Sequence, residues 1–181
     1  RCDEIGILVF EEATGWQHIG DQAWKDIYLG ELETMIKRDR NHPSVILWGV
    51  RVNESPDDDA FYSQTNQLAH SIDPTRQTSG VRCFRESNFL EDVFAYNDFS
   101  NEVQEPNHLP YLISEFAGHM FPTKSWDHEQ RLIDHALYHA RIQDAQLGND
   151  TISGAIGWCA FDYATHNEFG SGDRICYHGV M

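Results

Sequence analysis

The chain has 181 residues, 40% of them hydrophobic and 12% aromatic, which is enough for one sizeable core. Its 29 acidic residues outweigh 13 Lys and Arg, for a formal net charge of −16, so nucleic acid and anionic membrane surfaces are excluded as partners. A neutral or cationic ligand is expected, and no apolar run is long enough to cross a bilayer.

Ile5 to Phe10 is a short continuous apolar run, as expected for a strand buried on both faces. Glu11 and Glu12 follow it, and Gly15 and Gly20 mark a loop. From Trp24 to Arg38 the spacing of Trp24, Ile27, Tyr28, Leu32, Met35 and Ile36 predicts one face of a helix, with Asp21 as its N-cap. Asn41-His42-Pro43 ends it, because the residue before proline is pushed out of the helical region. Val45 to Val50 reads as the next strand, and Asn53-Glu54 lies just past it.

Phe61 to Ile72 has helical periodicity and stops at Asp73-Pro74. Short strands are expected at Gln77–Val81 and Val93–Tyr96, with a brief helical or turn element at Phe89–Asp92 between them. Ser100 to Asn107 is polar and loop-like. Tyr111 to Ser114 is a strand leading into Glu115, and Trp126 to Leu147 a long amphipathic helix stopped by Gly148. Ile152 to Phe161 is a Gly-spaced apolar strand, and loop follows Asp162.

About six strands alternating with helices predict an α/β fold with a parallel sheet. A complete (β/α)8 barrel needs roughly 250 residues. The expectation is therefore a smaller doubly wound sheet or a piece of a larger barrel. No Gly-x-Gly-x-x-Gly or Walker motif follows any strand, which argues against a nucleotide site. The four cysteines form no Cys-x-x-Cys pair, and Cys159, in an apolar run, is expected to be buried. The chain opens at Arg1 without a methionine, so the absence of a signal peptide says nothing of its compartment; the oligomeric state, with a homo-oligomer among the options, stays open as well.

Barrels place their chemistry at the carboxyl ends of their strands. Glu54 and Glu115 both sit at such ends, on different strands. Two convergent carboxylates suit hydrolysis of a glycosidic bond, where one protonates the leaving oxygen and the other attacks the anomeric carbon or activates water. Asn53 could hydrogen-bond a sugar hydroxyl, and Trp158 could offer a platform to the apolar face of a sugar ring. Trp16, Phe161 and Tyr163 are further aromatic candidates, whereas Trp48 is expected in the core. Glu11, Glu12 and His18 could hold a divalent cation, although a solvated acidic loop is the preferred explanation of them. His135 and His139, four apart on one helix, lack the adjacent Glu of the metalloprotease motif.

The run Asp39-Arg-Asn-His-Pro-Ser-Val-Ile-Leu-Trp-Gly-Val-Arg-Val-Asn-Glu54 resembles the acid/base signature of glycoside hydrolase family 2, the β-galactosidase family. Leu109 to Gly118, with Ser114-Glu115-Phe116-Ala117, is similar to that family's nucleophile segment. Cys2–Glu12 resembles its third barrel strand and Gly154–Tyr163 its eighth. The resemblance covers nearly the whole chain. It implies residues 1–181 as one catalytic segment of a partial TIM barrel, from about strand 3 to strand 8. The rest of the barrel and accessory β-sandwich domains would belong to the same protein.

By the same resemblance Glu54 is the general acid/base, Glu115 the nucleophile, Asn53 a contact to the 2-hydroxyl, and Trp158 part of the sugar subsite. No cofactor is required. Family members often carry Asn-x-Tyr after the sixth strand. Here Asn97-Asp98-Phe99 lacks that hydroxyl, so Asn97 and Tyr96 are the substrate-binding candidates there. The Asn-x-Lys pair of β-glucuronidases is absent after the eighth strand, which favours β-galactosides over β-glucuronides. The leading reading is a retaining exo-glycosidase, whose two carboxyls stand about 5 Å apart. β-Mannosidase or β-glucuronidase specificity, a non-catalytic carbohydrate-binding barrel, and a metal-dependent hydrolase using Glu11, Glu12, His18 and Glu54 are the alternatives. Unpaired strand edges predict that the segment alone is unstable or inactive.

Overall fold

A computed structural model of the chain describes residues 1–166 and 170–181. They form two compact units, residues 1–95 with 108–110, and residues 96–107 with 111–181. Among the described residues no helix is long and apolar enough to cross a membrane.

The first unit opens with α1 (Cys2–Ile5), a single turn ended by Gly6 at φ 75°. Strand β1 then runs from Val9 to Glu12. The apolar run was expected to be strand from Ile5. Instead Asp3 accepts from the Ser44 backbone N–H at 2.9 Å and lies 2.6 Å from His42 Nδ1, which ties the segment down as a turn. A short apolar run has no periodicity by which to tell strand from turn.

Helix α2 (Gln22–Asp39) starts as expected, with the Asp21 carboxylate accepting from Trp24 N at 3.0 Å. Tyr28, Leu32, Met35 and Ile36 are buried, but Ile27, expected on the same face, is exposed. Strand β2 (Val45–Gly49) pairs in parallel with β1 and with β3 (Gln77–Arg82). Between them α3 (Asp59–Ile72) is capped by Asp58, which accepts from Phe61 N at 3.1 Å. The core gathers Tyr28, Leu32, Ile36, Trp48, Val50, Phe61 and Tyr62, so Trp48 is a core residue as expected. Residues 83–92 form no regular element, so no helix stands at Phe89–Asp92. Strand β4 (Val93–Asn97) begins beside β3, where Ser79 Oγ donates to Val93 O at 2.8 Å.

In the second unit, β5 (Tyr111–Ala117) pairs in parallel with β6 (Ile152–Trp158), and α4 (Glu129–Leu147) connects them. Parallel strands joined through a helix are the βαβ unit that the alternation predicted. Strand β5 runs beyond Ser114, so Glu115 lies within the strand and not after it. Helix α4 begins later than Trp126, because Lys124 N donates to Asp127 Oδ2 at 2.8 Å and folds that stretch into a turn. Strand β6 stops at Trp158 instead of Phe161. There Cys159 N donates to His178 O at 3.0 Å and the chain leaves the ladder. Past Asp162 a short antiparallel pair, β7 (Tyr163–Ala164) with β8 (Ile175–Cys176), stands where only loop was expected. The part of that loop at 167–169 lies outside the described residues. Cys159 is half-buried, with its thiol donating to Phe161 O at 3.2 Å, and the fully buried cysteine is Cys176.

Candidate active site

Glu54 follows β2 by way of Val50, Arg51 and Val52, all buried. Arg51 anchors this stretch: its Nη2 donates to Ser55 O at 3.0 Å and to Asp57 Oδ1 at 2.7 Å, and its guanidinium lies 4.5 Å from the Tyr62 ring centre. Ser55 Oγ donates to Val52 O at 2.7 Å and lies 2.5 Å from Tyr62 Oη. The turn that presents Glu54 is thus fixed from below by buried polar contacts. Glu54 itself adopts φ 56°, in the left-handed region that a residue with a Cβ seldom occupies. Its backbone N–H donates to Val81 O at 3.2 Å.

The loop after β1 closes on this turn. Trp16 and Asn53 form a parallel bridge, and Gln17 N donates to Asn53 O at 2.8 Å. From there Trp16 Nε1 and Gln17 Nε2 both donate to Glu54 Oε2, at 2.9 and 3.1 Å. Asn53 and Glu54 therefore sit together in one half-buried turn, with Trp16 exposed beside them. The composition of the loop had marked Trp16 only as a further aromatic platform, and nothing in the sequence marked Gln17.

Glu11 and His18, two of the three candidates for a cation site, have other neighbours. Glu11 Oε1 pairs with Arg38 Nη2 at 3.0 Å. Burial, then a hydrogen bond shared with Asp39, push the Glu11 carboxyl up to about 7. His18 packs edge-on against Trp24 with ring centres 6.0 Å apart. Among the described residues no three His, Cys, Asp or Glu side chains gather as metal ligands.

In the second unit Glu115 is 8% exposed, in the last half of β5. Its carbonyl accepts from Asp98 N at 2.9 Å, and Ser114 Oγ donates to Asn97 Oδ1 at 2.9 Å. These two bonds bring Tyr96 and Asn97 alongside Ser114 and Glu115. Tyr96 and Asn97 are both buried, at 9% and 2% exposure. The Asp98 carboxylate accepts from Ser100 N and Gln104 N, each at 3.1 Å, and so shapes the following loop. Phe99, where the family often has tyrosine, packs against His119 with ring centres 4.5 Å apart.

Trp158 closes β6 and pairs with Ala117, so it stands next to the end of the strand that carries Glu115. Trp158 is 37% exposed. Trp158 Nε1 donates to Tyr163 Oη at 3.1 Å, and that oxygen lies 3.4 Å from His178 Nδ1. Burial pushes the Tyr163 phenol up and the His178 imidazole down. Phe161 is 66% exposed. His135 and His139 share a helical face with their Nε2 atoms 3.2 Å apart, and burial lowers both pKa values. They pack on Phe121 and Phe116, with ring centres 6.0 and 5.1 Å away.

Residues 1–149 match the family described as glycosyl hydrolases family 2, TIM barrel domain. A β-galactosidase of Thermoanaerobacterium thermosulfurigenes is 58% identical over 193 aligned residues, covering all of this chain and 27% of the relative. A β-galactosidase of Thermoanaerobacter pseudethanolicus is 59% identical, covering 99% of this chain and 25% of the relative. The chain thus spans about a quarter of the length of these relatives. Among solved structures, a family 2 β-galacturonidase from Eisenbergiella tayi superposes with a TM-score of 0.81 at 21% identity, covering 99% of this chain and 38% of that one. This last likeness speaks to fold alone. The parallel strands, the connecting helices and these matches agree with a partial (β/α)8 barrel, and the chain belongs to glycosyl hydrolase family 2, within its TIM-barrel domain.

Proposed function

We propose that this chain is the catalytic part of a retaining exo-glycosidase that hydrolyses terminal β-galactosides. The observation that supports the reading is a pair of glutamates toward the carboxyl ends of strands in a family 2 chain: Glu54 in the turn after β2 and Glu115 in the last half of β5. The galactoside preference rests on the names of the relatives that share 58% and 59% of its residues.

In this reading the Glu115 carboxylate attacks the anomeric carbon as the C–O bond to the aglycone breaks. Glu54, protonated, gives its proton to the departing oxygen. Glu54, now ionised, takes a proton from water. That water attacks the same carbon and frees Glu115 and the sugar. Asn53 contacts the 2-hydroxyl, Trp158 supports the sugar ring, and Tyr96 and Asn97 line the same subsite. The remaining barrel strands and the domains outside this chain complete the enzyme.

The test uses aryl β-galactosides with the complete polypeptide. Glu115→Gln is expected to abolish turnover, and retained turnover would remove Glu115 as nucleophile. Product analysis by NMR should give the β-anomer first, and an α-anomer would replace retention with inversion.

A further inference from the structure

Two side chains from one loop converge on a single oxygen of Glu54. Trp16 Nε1 and Gln17 Nε2 stand 2.9 and 3.1 Å from Oε2. The backbone is arranged for this convergence from both sides. Gln17 has φ 60° and Glu54 φ 56°, and neither is a glycine. Left-handed conformations cost energy at such residues and persist where surrounding contacts hold them. Here the contacts are the Trp16–Asn53 bridge, the Gln17 N bond to Asn53 O at 2.8 Å, and the Glu54 N bond to Val81 O at 3.2 Å.

Two N–H groups already point their hydrogens at Oε2. A proton on Oε2 would clash with two donors aimed at it. We propose that Trp16 and Gln17 are positioning residues that fix the rotamer of Glu54 through Oε2 and so assign proton donation to Oε1. This rests on the acid/base reading of Glu54. The loop acts through Glu54 in this scheme. It decides which oxygen meets the leaving group and from which direction.

The consequence is selective. Proton donation matters most for aglycones that leave poorly and least for those that leave as stable anions. Losing one bond to a charged group should lower kcat/KM about tenfold for an alkyl or unactivated phenyl β-galactoside. A 2,4-dinitrophenyl galactoside should be hydrolysed nearly as fast as before. Trp16→Phe removes the N–H while keeping an aromatic ring in place. Gln17→Met removes the second donor at similar length, and both residues are exposed, so folding is not at stake.

The experiment compares both substrates for Trp16→Phe, Gln17→Met, the double variant and Glu54→Gln in the complete polypeptide. The expected result is a selective loss on the poor leaving group, larger in the double variant and largest in Glu54→Gln. Equal losses on both substrates, or none, in the loop variants while Glu54→Gln keeps the selective loss would overturn the positioning role alone. If Glu54→Gln itself shows no selectivity, the acid/base reading fails and the positioning role with it.

Discussion

Arg82 and Glu91 form an ion pair at 2.7 Å with both side chains wholly out of solvent. Arg82 closes β3, and its guanidinium lies 4.5 Å from the centre of the Phe94 ring. Glu91 Oε2 also accepts from Leu90 N at 3.1 Å. Each buried charge is tolerable only beside the other, because removing one leaves its partner desolvated and unpaired. Glu91→Gln should therefore lower barrel stability by about 3–5 kcal/mol, whereas Arg82→Met with Glu91→Leu should cost less. Urea unfolding of the three proteins checks this, and a double variant as unstable as the single one would sink it.

Asp73 supplies the acid sensitivity of the first unit. Burial pushes its carboxyl up, but bonds from Thr75, Arg76 and Trp48 outweigh that and hold it well below the usual carboxylate range. Arg76 Nη1 stands 2.6 Å and Trp48 Nε1 3.1 Å from Oδ2. A depressed folded pKa adds stability above the unfolded value of about 4, and that stability is lost as pH falls below it. Asp73→Asn should destabilise the protein at pH 7 by about 1–3 kcal/mol and flatten the fall in stability below about pH 4. Unfolding midpoints from pH 3 to 7 give the answer, and an unchanged acid slope would remove Asp73 as its source.

Helices and strands with strong local signals were legible in the sequence. Asp21 before Trp24 gave the start of α2, and Asp73-Pro74 gave the end of α3, because caps and stops act within a few residues. The first strand was misplaced because Asp3 answers to Ser44 and His42, which are distant in sequence. Glu54 and Glu115 were singled out in the sequence because each closes a strand-like run. Trp16 and Gln17 were not found as partners of Glu54, since a tryptophan or glutamine in a loop carries no local sign of what it will donate to. Gly15 was the one hint, as the residue that lets the chain turn there. The hydrogen-bonded set of Trp158, Tyr163 and His178 was hidden for the same reason, joining residues from β6, β7 and the chain end.

The bond from Trp158 Nε1 to Tyr163 Oη fixes the indole, with the two rings nearly perpendicular at 83° and their centres 6.0 Å apart. Tyr163→Phe keeps the packing but loses the acceptor. One neutral bond of this kind is worth about 1 kcal/mol, so KM for a β-galactoside should rise severalfold while kcat changes little. Steady-state kinetics decide it. A change confined to kcat would mean that Trp158 is not a binding platform governed by Tyr163.

Gly15 has φ 138°, a conformation that side chains rarely adopt, and a Cβ there would stand 3.1 Å from Val52 Cγ1. It introduces Trp16 and Gln17, and Val52 belongs to the stretch that carries Glu54. Gly15→Ala should therefore cost about 1–3 kcal/mol and loosen the loop. Turnover of a poor-leaving-group β-galactoside should fall more than that of the dinitrophenyl substrate. Strain and crowding are separable here. Val52→Ala added to Gly15→Ala opens space near the new methyl group but leaves the φ requirement intact. If the conformation dominates, the double variant stays impaired in both stability and leaving-group selectivity. Full recovery would show that Gly15 is needed for room against Val52 and not for the turn.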